Sequence, residues 1–306
     1  RNIPIEIIGS GSKREIGRSL QCAKTLSLSK LSGIVEYLPE ELYIKVKAGT
    51  SIDLIENELK KNKQQLAFEP IDFGHLFLGK SNCGTAGGQV NCNITGPRRF
   101  KVGSARDHIL GFRAVNGRGE IIKSGGTVVK NVTGYDLSKL ICNSYGTLAV
   151  LTEVTFKVLP ASLTSKTLVI HNLNINIAVA FLTKVISSSN EVSGATYLPI
   201  DPICMNCEMD VENTFKLNDL KHGGSITAIR IEGSKNSVTE RMKSLQKLLP
   251  SLNLDISLLE TLQSEIFWRK VKNLEFYSGT KNNIFRIVIP SAECIKLIYE
   301  LPKQFK

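Results

Sequence analysis

Three glycine-rich segments hold the residues best suited to chemistry. In Ile7-Ile8-Gly9-Ser10-Gly11-Ser12-Lys13-Arg14-Glu15-Ile16-Gly17 an apolar run empties into a turn of small residues. Successive N–H groups in such a turn can hold a pyrophosphate, although an ordinary surface turn has the same composition. The spacing is not that of a dinucleotide Rossmann site, because Arg14 is followed by a polar stretch without a helical face. It is not a P-loop either, since no Gly-Lys-Ser/Thr closes it. The second segment runs from Gly84-Thr85-Ala86-Gly87-Gly88 through Gly96-Pro97-Arg98-Arg99 to Gly103-Ser104-Ala105-Arg106-Asp107. Its small, Asn and Thr residues suit a polar ligand, and no acidic cluster offers a divalent cation a cage. The third is Gly125-Gly126-Thr127 through Val129-Lys130-Asn131-Val132-Thr133-Gly134-Tyr135-Asp136-Leu137, followed by Tyr145-Gly146-Thr147-Leu148. Hairpin turns would explain any one of these segments; their succession points to a ligand-binding domain.

The elements that must position these loops follow from periodicity. Strands are expected at Ile3–Ile8, Gly33–Tyr37, Leu42–Val46, Ile109–Val115, Ile121–Lys123 and Ala149–Val158. Ser51 is placed to cap a helix to Lys60 that carries Ile52, Ile55 and Leu59 on one face. Fourteen of the 24 glycines lie between Gly74 and Gly146, so that window cannot be mostly helix. After Pro160 the texture changes to strand, helix, strand at 167–170, 175–187 and 194–198. A similar order follows at 225–231 and 238–249, with a helix near 264–271, a strand at 284–289 and a last helix at 292–301. The fold class is therefore α+β, with a glycine-rich domain at 1–162 and a smaller α+β domain at 163–306.

The succession of motifs resembles the FAD-binding domain of the vanillyl-alcohol oxidase (PCMH) type, and within it the FAD-binding subunits of glycolate oxidases. The residues that carry the resemblance are Gly-Ser-Gly-Ser-Lys at 9–13, Leu-Ala-Phe-Glu-Pro at 66–70 and Gly-Gly with Gly-Pro-Arg-Arg within 87–99. Gly-Ser-Ala-Arg-Asp at 103–107, Val-Lys-Asn-Val-Thr-Gly-Tyr-Asp-Leu at 129–137 and Leu-Thr-Glu-Val at 151–154 complete it. The likeness is dense from about residue 5 to 160 and thinner to about 290, where Ile229-Arg230-Ile231-Glu232-Gly233 is similar to the second domain of the family.

The resemblance implies a two-lobed FAD-binding domain and assigns roles. Gly9, Ser10, Gly11, Ser12 and Lys13 would hold the FAD pyrophosphate, with Thr85, Gly87 and Gly88. Gly103, Ser104 and Arg106 would lie along the ribityl chain and ring, and Gly146 to Val150 beside the adenine half. Tyr135 and Asp136 would start a helix beside the cofactor. No histidine stands between 9 and 17, so the FAD is expected to be non-covalent. Tyr145 occupies a position that is Glu in the catalytic subunit and typically Tyr in the accessory FAD subunit. Asn143 and Ala149 stand where glycine is usual, and relative to the family the chain is expected to be short at both ends.

The implied function is oxidation of a small 2-hydroxy acid, glycolate to glyoxylate, within a glycolate oxidase complex. The implied partners are a catalytic FAD subunit and an iron–sulfur subunit. Such a reaction needs a base for the hydroxyl proton and a cation for the carboxylate. Arg98, Arg99 and Arg106 are candidate cations, and Tyr135 and Lys130 candidate bases. The alternative is a non-catalytic remnant or assembly module that has lost flavin-dependent activity.

Composition narrows the remaining classes. The formal charge of +11 is spread along the chain in short groups, without a basic tail or an aromatic–basic signature, so no nucleic-acid partner is expected. The chain has no apolar run of about 20 residues and no secretory pattern. Seven scattered cysteines read as reduced thiols. A cytoplasmic protein is expected, held at the inner face of the membrane, if at all, through its partners. Cys204-Met205-Asn206-Cys207 lacks the second pair a zinc site needs, and His75, His108, His171 and His222 show no metal spacing, so no metal is expected.

Overall fold

The computed structural model describes residues 3–128, 134–199, 224–278 and 283–301. The chain divides into two compact units, residues 1–161 with 272–279, and residues 162–271 with 280–306. A single boundary at 162/163 does not anticipate the return of 272–279 to the first unit. That return is fixed in part by Asn273, whose side-chain oxygen accepts the Asp72 N–H at 3.1 Å.

The first unit begins with β1 (Ile5–Ile8) and β2 (Lys24–Ser27), a parallel pair separate from the main sheet. Next come β3 (Ile34–Leu38), β4 (Tyr43–Lys47) and helix α1 (Ile52–Lys61). The Ser51 side chain accepts the Leu54 N–H at 3.2 Å, and Ile52, Ile55 and Leu59 form the buried face of α1. A short β5 (Gln64–Gln65) follows, then α2 (Gly74–Phe77), α3 (Ala86–Cys92), α4 (Arg99–Val102) and α5 (Ala105–His108). The unit continues through β6 (Ile109–Asn116), β7 (Ile121–Gly125), α6 (Leu137–Ile141), β8 (Ala149–Lys157) and β9 (Leu159–Pro160). The main sheet is antiparallel with order β3-β4-β8-β6-β7, and β5 pairs with β9.

Strand β8 is buried on both faces at Val154, Thr155 and Phe156, as its central place requires. Leu151, Val154 and Phe156 are fully buried and meet Ile44, Val46, Ile55, Leu59, Phe68 and Val90 in one core. Each such side chain contributes about 1.5–3 kcal/mol by leaving water.

In the second unit β10 (Thr164–His171), α7 (Ile175–Ile186), β11 (Gly194–Leu198), β12 (Ile226–Gly233), α8 (Lys235–Gln246) and β13 (Asp255–Leu259) follow one another. The antiparallel order β11-β12-β10-β13 is that of a split βαβ unit. Leu168, Ile170, Ile229 and Ile231 pack against Phe181, Val185, Val238 and Leu245 of the two helices. Helix α9 (Thr261–Asn273) brings Trp268, whose indole N–H donates to Thr167 Oγ1 at 2.8 Å and whose ring lies 4.8 Å from the Arg230 guanidinium carbon.

Two expectations for this unit are corrected. Asp255–Leu259 is a strand that its short, half-exposed pattern concealed. The run 284–289 has strand-like alternation but forms no strand; Phe285 and Val288 are 66% and 72% exposed, with no neighbouring strand to pair with among the described residues. The last helix, α10 (Cys294–Glu300), is present.

Candidate functional site

Strand β1 delivers the turn 9–17 to one wall of a cleft, and a fork of hydrogen bonds anchors it there. Arg14 Nε and Nη2 donate to the two Glu6 carboxylate oxygens at 2.7 and 2.8 Å, and Thr25 Oγ1 donates to the same carboxylate at 3.0 Å. The Arg14 guanidinium holds the Glu6 carboxyl below the usual carboxylate range. Arg14, which excludes a Rossmann reading, is thus the residue that ties the turn to its strands. The Ser10 hydroxyl also donates to the Cys83 carbonyl, which joins the turn to the segment before α3.

The facing wall is the start of α3. Thr85 precedes it, and the Gly87 N–H donates to the Ala48 carbonyl at 2.8 Å. At Gly9 the walls touch: a Cβ there would lie 2.3 Å from Thr85 Oγ1. A Cβ at Gly88 would lie 3.0 Å from Thr85 Oγ1 and 3.8 Å from Lys13 Nζ. The cleft has a volume of about 240 Å³ and is lined by Gly9 to Lys13, Thr85, Gly87, Gly88, Asn91, Cys92, Tyr145 and Thr147, with Ile7, Leu28 and Leu151 as apolar floor. The structure therefore brings together Gly9, Ser10, Gly11, Ser12, Lys13, Thr85, Gly87 and Gly88.

The polar groups of this cleft are open in a specific way. Among the described residues, no protein acceptor takes the N–H groups of Ser10, Gly11, Ser12 or Lys13, nor that of Gly88. Lys13 has no hydrogen bond or ion pair there either. Burial pushes its ammonium below the usual lysine range, with Cys92, Asp72 and Cys83 acting in the opposite direction. Unpaired N–H groups beside a half-enclosed amine form a nest that an anion completes. The diphosphate of FAD fits this donor set.

The remaining expected residues lie elsewhere. Gly103, Ser104, Arg106, Gly146 and Val150 do not line the cleft, although Gly146 sits close by, a Cβ there lying 3.6 Å from Ile7. From 103 to 107 every N–H is taken within the chain, by Arg99 O, Asp107 Oδ2, Thr95 Oγ1, Asn93 Oδ1 and Ser104 O in turn. Any ligand contact from this turn must come from carbonyls or side chains. Arg98 is 3.5 Å from Glu69 Oε1 and donates its N–H to Glu69 Oε2 at 2.7 Å. Tyr135 is 92% exposed, and Asp136 caps α6 by accepting the Lys139 N–H at 3.2 Å. Neither Arg98, Arg106 nor Tyr135 lines the cleft. Lys130, Cys204, Cys207 and His222 lie outside the described residues.

Asn143 has φ +67°, a left-handed conformation that asparagine tolerates better than most residues. Ala149 is buried at the start of β8. Thr147, from the 146–150 stretch expected beside the cofactor, belongs to the lining, and so does Arg18, which was not singled out because contacts across the chain, not local pattern, bring it there. Among the described residues no group of three or more His, Cys, Asp or Glu is placed to hold a metal, and no helix is long and apolar enough to cross a membrane.

Residues 1–125 match the FAD binding domain family. The chain is 45% identical to glycolate oxidase subunit GlcE of Escherichia coli K12 over 157 residues, covering 51% of this chain and 43% of that protein. It is 35% identical to a D-lactate dehydrogenase of Anaerostipes hadrus over 155 residues, which is 51% of this chain and 31% of that one. Glycolate oxidase subunit GlcD of Bacillus subtilis 168 is 32% identical over 188 residues, 61% of this chain and 38% of that one. The chain thus spans less than half the length of these relatives. A solved alkyldihydroxyacetonephosphate synthase shares the fold, with a TM-score of 0.68 at 18% identity over 90% of this chain and 50% of that one. With the nest and the cleft in place, these likenesses lead to one conclusion: residues 1–125 form an FAD-binding domain similar to that of these oxidoreductases, and its cofactor is FAD.

Proposed function

We propose that the chain is the FAD-binding subunit of a glycolate oxidase complex and supports oxidation of glycolate to glyoxylate. The observation that carries this reading is the row of unpaired N–H groups at 10–13, with Lys13, facing Gly88 across the cleft. The relatives support the reaction class, since two are named glycolate oxidase subunits and one a D-lactate dehydrogenase. All three names concern 2-hydroxy acids. When bound, FAD supplies the acceptor for the hydride that leaves the hydroxyl-bearing carbon. The chain's own part is to neutralise the diphosphate, fix the adenine half against Leu28, Leu151 and Tyr145, and keep water from the apolar floor. The cofactor is held non-covalently, because the turn that faces it contains no histidine. The complex would also contain a catalytic FAD subunit, and the electrons would pass on to an iron–sulfur partner on the cytoplasmic side.

A second reading, an assembly module without turnover, is favoured by one feature. The candidate cations and base, Arg98, Arg106 and Tyr135, stand outside the cleft, and no histidine lines it. The flavin spectrum separates the two. Purified chain supplied with FAD should keep a flavin absorbance band through desalting, release it all on acid precipitation, and support glycolate-dependent dye reduction with its partners. A chain that keeps no flavin, alone or in the complex, is not an FAD subunit. Retained flavin without any contribution to glycolate oxidation leaves the assembly role.

A further inference from the structure

The side chain of Lys13 is the one cationic group that the nest itself supplies. Its amine stands against the open backbone of Gly88 and makes no hydrogen bond or ion pair among the described residues. The other charges around it have separate positions. Glu6 and Arg14, from the same strand and turn, are spent on each other. Arg18 lines the cleft further along the turn. From the facing elements, Asp72 accepts the N–H groups of Gly74 at 2.9 Å and Cys83 at 3.3 Å. Cys83 donates to the Ser81 carbonyl at 3.3 Å, and Cys92 closes the far end of α3. Lys13 therefore meets a half-enclosed space with no fixed anion bonded to it.

We propose that Lys13 is the counter-charge of the bound diphosphate, and that the cofactor enters the cleft together with one proton taken up by this amine. Without ligand the amine gives up its proton more readily than a surface lysine, because burial disfavours the charged form. A diphosphate brought against it reverses that preference. At pH values where the free amine has lost its proton, it gains one from solvent on binding and the resulting ammonium pairs with the phosphate oxygens. Burial raises the Cys83 and Cys92 thiols above the ordinary thiol range. The Glu6 carboxyl is held low by Arg14 and stays ionised at neutral and alkaline pH. The inference rests on the FAD reading of the cleft and deepens it, by making retention of the cofactor sensitive to alkaline pH.

The test is the Kd for FAD, measured by fluorescence between about pH 6 and pH 10, a window that includes a lysine with a lowered pKa. For the wild-type chain the Kd should be flat at the acid end and then rise about tenfold per pH unit, as the free amine loses its proton before binding. ADP, which carries the diphosphate without the flavin ring, should show the same slope when it competes with FAD. Lys13→Arg should keep the affinity and lose the slope, because a guanidinium stays charged. Lys13→Met should bind about 10–100-fold more weakly at the acid end and be flat, the loss expected for a charge-assisted contact. Calorimetry in two buffers of different ionisation enthalpy should report proton uptake for wild type and none for Lys13→Arg. A Lys13→Arg protein that retains the slope overturns the inference, and so does wild type that binds FAD with a flat profile. A wild type that binds no FAD at any pH instead defeats the cofactor role proposed for the cleft.

Discussion

The turns at 10–13 and 103–107 are made of nearly the same residues, glycine, serine and one basic side chain, yet they are opposites. In the first, no N–H finds an acceptor among the described residues; in the second, all five do. The difference comes from what surrounds them. The Asp107 carboxylate takes both the N–H and the hydroxyl of Ser104, at 2.7 and 3.0 Å, and Asn93 and Thr95 reach in from the preceding loop. No carboxylate folds back over 10–13, because Glu6, the nearest one on its strand, is occupied by Arg14 and Thr25. A glycine-rich turn binds an anion when its donors are left over, and glycine content alone does not say whether they are.

Substitutions can break this contrast, the largest effects first. Gly88→Leu should abolish FAD retention after desalting while the Tm stays within a few degrees, because the new side chain fills the cleft beside Lys13 and Thr85. Full retention would remove α3 from the site. Arg14→Ala should weaken FAD binding about tenfold by freeing the turn from Glu6, with little change in the far-UV spectrum.

The Glu6 pair also carries an acid limit. Its carboxyl titrates lower in the folded chain than in the unfolded one, so its stabilisation is present at neutral pH and is lost as pH falls through the depressed folded value. FAD release on acidification should therefore begin at higher pH in Glu6→Gln than in wild type. Identical release curves would detach the fork from the cofactor turn. Asp107→Ala should act on the other turn alone, lowering stability by about 1 kcal/mol through loss of the cap and leaving the Kd for FAD nearly unchanged. Tyr135→Ala should change stability by no more than about 0.5 kcal/mol, since its side chain is almost wholly exposed.

Much of the architecture was legible in residue periodicity. Ser51 with Ile52, Ile55 and Leu59 specified α1, and the alternation through Val150, Thr152, Val154, Phe156 and Val158 marked the strand that lies at the centre of the main sheet, although Leu151, on the opposite face of that pattern, is fully buried as well. Such signals are local, and burial acts on them directly. The strand 255–259 escaped because Ile256 and Leu258 remain exposed on an edge strand, so no strong apolar face marks it. The run 284–289 misled for the converse reason: it has the alternation of a strand, and pairing is a property of two segments. For the site, the composition of 9–13 and 84–88 indicated a nest. The closure of 103–107 was hidden, because it depends on side chains at 93 and 95 brought in by the fold. The positioning of the first turn by Arg14 was equally hidden, since Glu6 and Arg14 meet only when the chain reverses.

The parallel pair β1–β2 stands apart from the main five-stranded sheet, and the turn proposed to hold the cofactor lies in the connection between its two strands. A ribbon of two short strands opens at less cost than a central strand, so its amides should be among the first to exchange with deuterium. The same amides should slow when ligand fills the nest. Occupancy of the cleft could then be read peptide by peptide, by mass, in a preparation whose flavin colour is too faint to measure. The part of the protein that binds would serve as its own reporter.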